Sequence, residues 1–124
     1  MALEYVPQRE TFGAPLSSRQ SIQWMLVDNE IDIKQPLWIT LEAPAKAERG
    51  ENFRKEAAMA KLVATEAGGR VVDRCMQMFG GLGVAKDLPF ERWFREMRIR
   101  RIGEGPSEVQ RHVIARELLG SSLR

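Results

Sequence analysis

The stretch "RRIGEGPSEVQRHVIAR", residues 100–116, sets a single carboxylate, Glu104, between Gly103 and Gly105 and follows it at once with Pro106 and Ser107. A carboxylate with no side chain on either flank can be approached closely by another molecule. Two chemistries fit. Glu104 is either a surface carboxylate placed before a helix start, where the positive end of the helix dipole favours it, or a general base with room for a substrate beside it. Ser107 reads as an N-cap, Glu108 complements the dipole, and Pro106 suits a helix entry. A second group lies in "QMFGGLG", Gln77 to Gly83, where glycine amides can approach a phosphate or simply close a helix. It lacks the strand-then-helix setting of a dinucleotide fingerprint.

Other reactive types are few. Cys75 is the sole cysteine and His112 the sole histidine, and they are not at metal-ligand spacing, so no metal site is expected. Arg9 reads as a solvated cation near the start of the chain. "ERWFREMRIRR", residues 91–101, holds five arginines against two glutamates and is either a solvated helix face or a phosphate-binding one. With a net charge of only +2, no nucleic-acid partner is expected.

These groups must be held by helices. Ala2 to Phe12 is compatible with a first helix, broken near Gly13 to Pro15. From the serines that follow, Ile22, Met25, Leu26, Ile33, Leu37 and Leu41 recur at helical spacing; Pro36 should kink or break that helix, and Pro44 to Asn52 reads as a connector. A third helix carries Phe53, Ala57, Ala60, Ala64, Ala67, Val71, Cys75 and Met78 on one stripe of mostly small residues. Gly68-Gly69 within it is a contact point or a weak spot. "FGGLG" ends the helix, a shorter one begins at Pro89, and the last spans Ser107 to Leu119, stopped by Gly120. Nothing reads as a confident β-strand. The expected fold is all-α, an antiparallel four-helix-type bundle forming one domain over residues 1–124. No apolar run is long enough to span a bilayer and no secretory leader is apparent, so the expected location is intracellular: cytoplasmic, or the mitochondrial matrix in a eukaryote.

Taken together and in order, Arg-x-x-Phe-Gly at Arg9 to Gly13, Gln-x-Phe-Gly-Gly-x-Gly at Gln77 to Gly83, Pro-x-Glu-Arg-x-x-Arg at Pro89 to Arg95 and Glu-Gly-x-Ser-Glu at Glu104 to Glu108 resemble the carboxy-terminal helical domain of the flavin-dependent acyl-CoA dehydrogenases. The resemblance runs nearly end to end. It implies that the chain corresponds to the last of three parts, without the amino-terminal helical domain and the middle β-barrel, and that alone it is inactive. It implies FAD as cofactor, an acyl-CoA thioester as substrate, an electron-transfer partner of unspecified kind, and assembly as a homodimer or homotetramer. Glu104 would remove the α-proton while a hydride leaves the β-carbon for the flavin, with Gly105 beside the substrate. Arg9, Phe12 and Gln20 match positions that hold the adenosine-diphosphate part of a neighbouring subunit's FAD. Gln77, Gly80 and Gly81 match the adjoining contact, and Pro106 and Glu108 match positions near the phosphates and adenosine. The chain departs from the family where Gly103 replaces a common tyrosine and Pro106 a common threonine. A helical oligomerisation module that has lost catalysis is the alternative.

Overall fold

Every other helix touches the one formed by Arg54–Phe79. The structure, a computed structural model, describes residues 1–122. In chain order the elements are α1 (Ala2–Tyr5), a two-stranded hairpin of β1 (Glu10–Thr11) and β2 (Ala14–Pro15), a 3-10 turn at Leu16–Ser18, α2 (Gln20–Glu48), α3 (Arg54–Phe79), α4 (Gly81–Val84), α5 (Phe90–Arg100), α6 (Ser107–Leu119) and a final 3-10 turn. The all-α expectation holds, with α2, α3, α5 and α6 as the four main helices.

The first segment is not the helix expected to Phe12. Pro7 has no N–H to continue the ladder of α1, and the chain turns into the hairpin, closed by the Leu16 N–H donating to the Arg9 carbonyl at 2.6 Å. The serines before α2 do not cap it; Arg19 occupies the cap position and makes no side-chain cap bond.

The expected break at Pro36 and connector from Pro44 are also absent, since α2 runs through both prolines to Glu48. Packing explains this. The buried residues of α2 are Ile22, Asn29, Pro36 and Ala43, each seven positions from the last, which forms a coiled-coil-like seam against α3. A seam packed along its whole length offsets the hydrogen bonds that two prolines remove, each interior proline costing about 3 kcal/mol. Ile33, Leu37 and Leu41 of the expected stripe are exposed instead.

Polar pairs fix the antiparallel register of α2 and α3. Asn29 donates to the Cys75 Sγ at 3.6 Å and accepts from Arg74 at 3.3 Å. Asp32 accepts from Arg70 at 2.5 Å and from Arg74 at 2.6 Å, and Lys46 donates to the buried Glu56 at 2.7 Å. The Arg70 hydrogen bond, working against burial and joined by Arg74, takes the Asp32 carboxyl from its ordinary 3.8 to about 2.

On α3 the small-residue stripe is only partly buried. Ala60, Ala67 and Met78 face inward, Ala57 and Ala64 face outward, and Glu56, Ala58, Val72 and Phe79 complete the buried set. Gly68 is a contact point: a Cβ there would lie 2.8 Å from the Met97 Sδ, so the missing side chain lets α5 cross closely. At the far end, Tyr5 stacks on Phe79 at 4.0 Å and Phe79 meets Phe90 at 4.7 Å, tying α1, α3 and α5 together. Among the described residues no helix is long and apolar enough to cross a membrane.

Candidate functional site

Both α5 and α6 run antiparallel to α3, one beyond the other. Phe90 lies by Phe79 and Arg101 by Glu66; Ser107 also reaches Glu66, and Glu117 pairs with Asn52 just before α3 begins. The two helices thus line successive halves of α3, and the interruption between them, Arg101 to Pro106, holds Glu104 beside the middle of that helix.

The interruption is built locally. The N–H groups of Ile102 and Gly103 both return to the Ile99 carbonyl, at 3.0 and 2.8 Å, and close α5. Glu104 at φ +54 and Gly105 at φ +92 then take left-handed conformations in succession, after which Pro106 leads into α6. A left-handed non-glycine residue costs roughly 1–2 kcal/mol, so contacts from outside must sustain this one. They come mainly from α3. Lys61 Nζ donates to the Gly105 carbonyl at 2.6 Å, and Gln110 Nε2 donates to the same oxygen at 3.1 Å.

The Ser107 hydroxyl does not cap α6 as expected; it donates to Glu66 Oε1 at 2.7 Å, while Arg101 meets Glu66 Oε2 at 2.9 Å. Burial pushes the Glu66 carboxyl up, but the Ser107 hydrogen bond and the charge of Arg101 outweigh it and hold the group below its ordinary range. The Glu104 side chain is exposed and, among the described residues, receives no hydrogen bond on its carboxylate. It stands at a cavity of about 490 Å³ lined by Lys61 and Thr65 from α3, by Glu96, Ile99 and Arg100 from α5, and by Gly103. Such a carboxylate is free to accept a proton from a molecule entering there.

The remaining expected residues fall into two places. Pro106 and Glu108 lie with Glu104 at the start of α6. Arg9, Phe12 and Gln20 gather instead near the carboxy-terminal end of α3 with Gln77, Gly80 and Gly81, because Val6 packs against Met78 and Tyr5 against Phe79. Glu66 and Gln77 are eleven positions apart on α3, so about 17 Å of helix separates the two groups. At the far group, Phe12 has φ +51 and a side chain 99% exposed, with the Arg19 guanidinium 5.9 Å from its ring centre. Arg9, Gln20 and Gln77 are exposed, and a Cβ added at Gly80 or Gly81 would meet nothing within 4 Å. The cation, the amides and the open glycine backbone suit a pyrophosphate, and the uncovered ring suits a flat partner.

Sequence reasoning missed Lys61, Glu66 and Arg101. The arginine-rich helix follows its plainer reading, since Arg92 pairs with Glu96 at 3.4 Å and Arg95 with Glu91. Burial pushes the Cys75 thiol up, the opposite of what a nucleophile needs, and His112 is exposed. No three metal-ligating side chains come together among the described residues.

Comparison with known proteins gives a consistent result. The family model described as "Acyl-CoA dehydrogenase, C-terminal domain" matches residues 1–119. The mitochondrial short-chain specific acyl-CoA dehydrogenase of Bos taurus is 42% identical over 120 residues, covering 97% of this chain and 29% of the bovine protein. The solved butyryl-CoA dehydrogenase of Megasphaera elsdenii superposes with a TM-score of 0.91 at 38% identity, over 95% of this chain and 31% of that one. A solved FAD complex of PigA superposes at 0.90 with 28% identity, over 94% of this chain and 30% of that one. The chain therefore spans about three-tenths of the length of the relatives it matches.

Proposed function

Since the chain belongs to the acyl-CoA dehydrogenase family, as the C-terminal domain, we propose that it contributes the catalytic base and part of the cofactor site to an FAD-dependent α,β-dehydrogenation of acyl-CoA thioesters. The observation that carries this reading is the placement of Glu104: a carboxylate in a left-handed turn between two glycines, unbonded, at the mouth of a cavity. Glu104 takes the α-proton of the thioester onto its carboxylate, and Gly103 and Gly105 leave space for the acyl group to approach. Bound flavin supplies the acceptor for the hydride that leaves the β-carbon. Arg9, Gln20, Gln77 and the Gly80-Gly81 backbone hold phosphate and ribose groups, and Phe12 covers a flat ring. Pro106 and Glu108 lie at the other group, so the two ends of the domain serve different parts of one extended cofactor or cofactors of two subunits.

Glu104 is exposed on this chain by itself, and on this reading the 124-residue chain alone is inactive. One whole domain over these residues, completed by the amino-terminal helical domain and the β-barrel of the full enzyme, is the arrangement proposed. An electron-transfer partner then reoxidises the flavin. Assembly into homodimers or homotetramers is part of the reading and is favoured by the apolar residues that α2 leaves uncovered. The same face is what the alternative, an assembly module without catalysis, would retain.

The test uses the flavin-loaded enzyme that carries this domain, mixed anaerobically with butyryl-CoA while the visible flavin absorbance is followed. Wild type bleaches, and Glu104→Gln keeps its flavin but bleaches at least about a hundredfold more slowly, the usual weight of a general base. Equal rates would remove Glu104 from the chemistry.

A further inference from the structure

A base works only where it is held, and the turn that holds Glu104 puts that residue at φ +54, a conformation that the backbone of a non-glycine residue does not favour. What sustains the turn is mainly α3, with Gln110 of α6 sharing the Gly105 carbonyl at 3.1 Å. Lys61 reaches its apex, donating to the Gly105 carbonyl at 2.6 Å. Glu66, five positions along, grips both ends, taking the Ser107 hydroxyl at 2.7 Å on one oxygen and Arg101 at 2.9 Å on the other. The two gripped residues are themselves joined, the Ser107 N–H donating to the Arg101 carbonyl at 3.2 Å.

These contacts are sheltered, the Glu66 side chain being 19% exposed and Ser107 4%. Arg101 Nε is buried and unpaired among the described residues, although its side chain as a whole is 36% exposed, and Glu66 is the carboxylate its guanidinium meets. Lys61 makes no ion pair with any described carboxylate; its ammonium is committed to the turn.

We propose that Lys61 and Glu66 are positioning residues for the base, and that α3 through them sets where the Glu104 carboxylate stands relative to the substrate α-carbon. This rests on the reading of Glu104 as the base. Misplacement of a reacting group by about 1 Å costs on the order of a hundredfold in rate, so losing Lys61 or Glu66, with Gln110 left as the other donor to the Gly105 carbonyl, is expected to cost at least about tenfold.

The experiment compares Lys61→Met, Lys61→Arg, Glu66→Gln and, in parallel, Glu104→Gln in the flavin-loaded full enzyme, with butyryl-CoA and its α-deuterated form. Lys61→Met is expected to lower kcat at least about tenfold with KM within about twofold of wild type, and to raise the isotope effect on kcat, because proton abstraction becomes the slow step. Lys61→Arg, which keeps a donor for the Gly105 carbonyl, is expected to recover most of the rate. Glu66→Gln should move in the same direction; if it does not fold, the Lys61 pair decides alone. A wild-type rate and isotope effect in Lys61→Met, with Glu104→Gln inactive, overturns the positioning role and leaves the base reading intact. A slow Lys61→Met enzyme whose isotope effect is unchanged and whose flavin is lost overturns it too, as a merely structural loss. An active Glu104→Gln enzyme overturns the base reading itself.

Discussion

At Glu104 the backbone sits at φ +54, a conformation that glycine adopts without strain and glutamate does not. Its neighbour Gly105, at φ +92, is where a side chain would be resisted: a Cβ there would come within 2.5 Å of Gln110 Nε2. Different effects on stability follow at adjacent positions. Glu104→Gly relieves roughly 1 kcal/mol of left-handed strain against a similar gain in unfolded-chain freedom, so its denaturation midpoint should stay close to that of wild type while dehydrogenation is lost. Gly105→Ala should lose about 1–2 kcal/mol, read by urea denaturation with circular dichroism. The turn was legible in the sequence, since two glycines around one carboxylate mark a break between helices. Lys61 and Glu66 were not legible, because charged residues on a helix face ordinarily meet solvent, and only the crossing of α5 and α6 over α3 brings the turn to them.

The helices show the same division between what local chemistry announces and what packing decides. Pro89 and Gly120 bound α5 and α6 as expected, and Gly80 at φ +59 ends α3, because caps act through the residue itself. The long α2 escaped because its buried seam is an isoleucine, an asparagine, a proline and an alanine, none of which reads as a hydrophobic repeat beside the more apolar residues that remain exposed. Polar pairs, not bulk, tie much of that seam to α3, and they make it sensitive to acid. The folded Asp32 carboxyl titrates at about 2 against an ordinary 3.8, so its contribution is complete above the unfolded value and is lost as pH falls from about 4 through about 2. Solvent reaches Arg70, which is half-exposed, and screening brings the contribution to about 1 kcal/mol. Asp32→Asn should therefore be less stable than wild type by about that much at neutral pH, with the gap closing as the solution is taken below about pH 3; a gap independent of pH would mean that the pairs with Arg70 and Arg74 do not stabilise the fold.

For the whole molecule the decisive quantity is surface. The chain presents 8489 Å² of accessible area, where a compact monomer of its mass would present about 6,700 Å². Part of the exposed surface is an apolar stripe: Trp24, Val27, Ile31, Trp38 and Leu41 recur at helical spacing along the side of α2 away from its buried seam, with Trp24 61% and Trp38 69% exposed. A monomer seldom leaves two tryptophans on one uncovered stripe, whereas an interface of standard size buries about 800 Å² per partner, which the excess area can supply. The stripe runs along most of a 29-residue helix, so a second rod laid beside it would cover it continuously. Neither tryptophan belongs to the buried core, so Trp24→Glu with Trp38→Glu should leave the helical circular dichroism intact. In sedimentation equilibrium at micromolar concentration the wild-type chain is expected to be heavier than a monomer and the double variant lighter than wild type. If wild type already sediments as a monomer, the stripe is not a surface between copies of this chain.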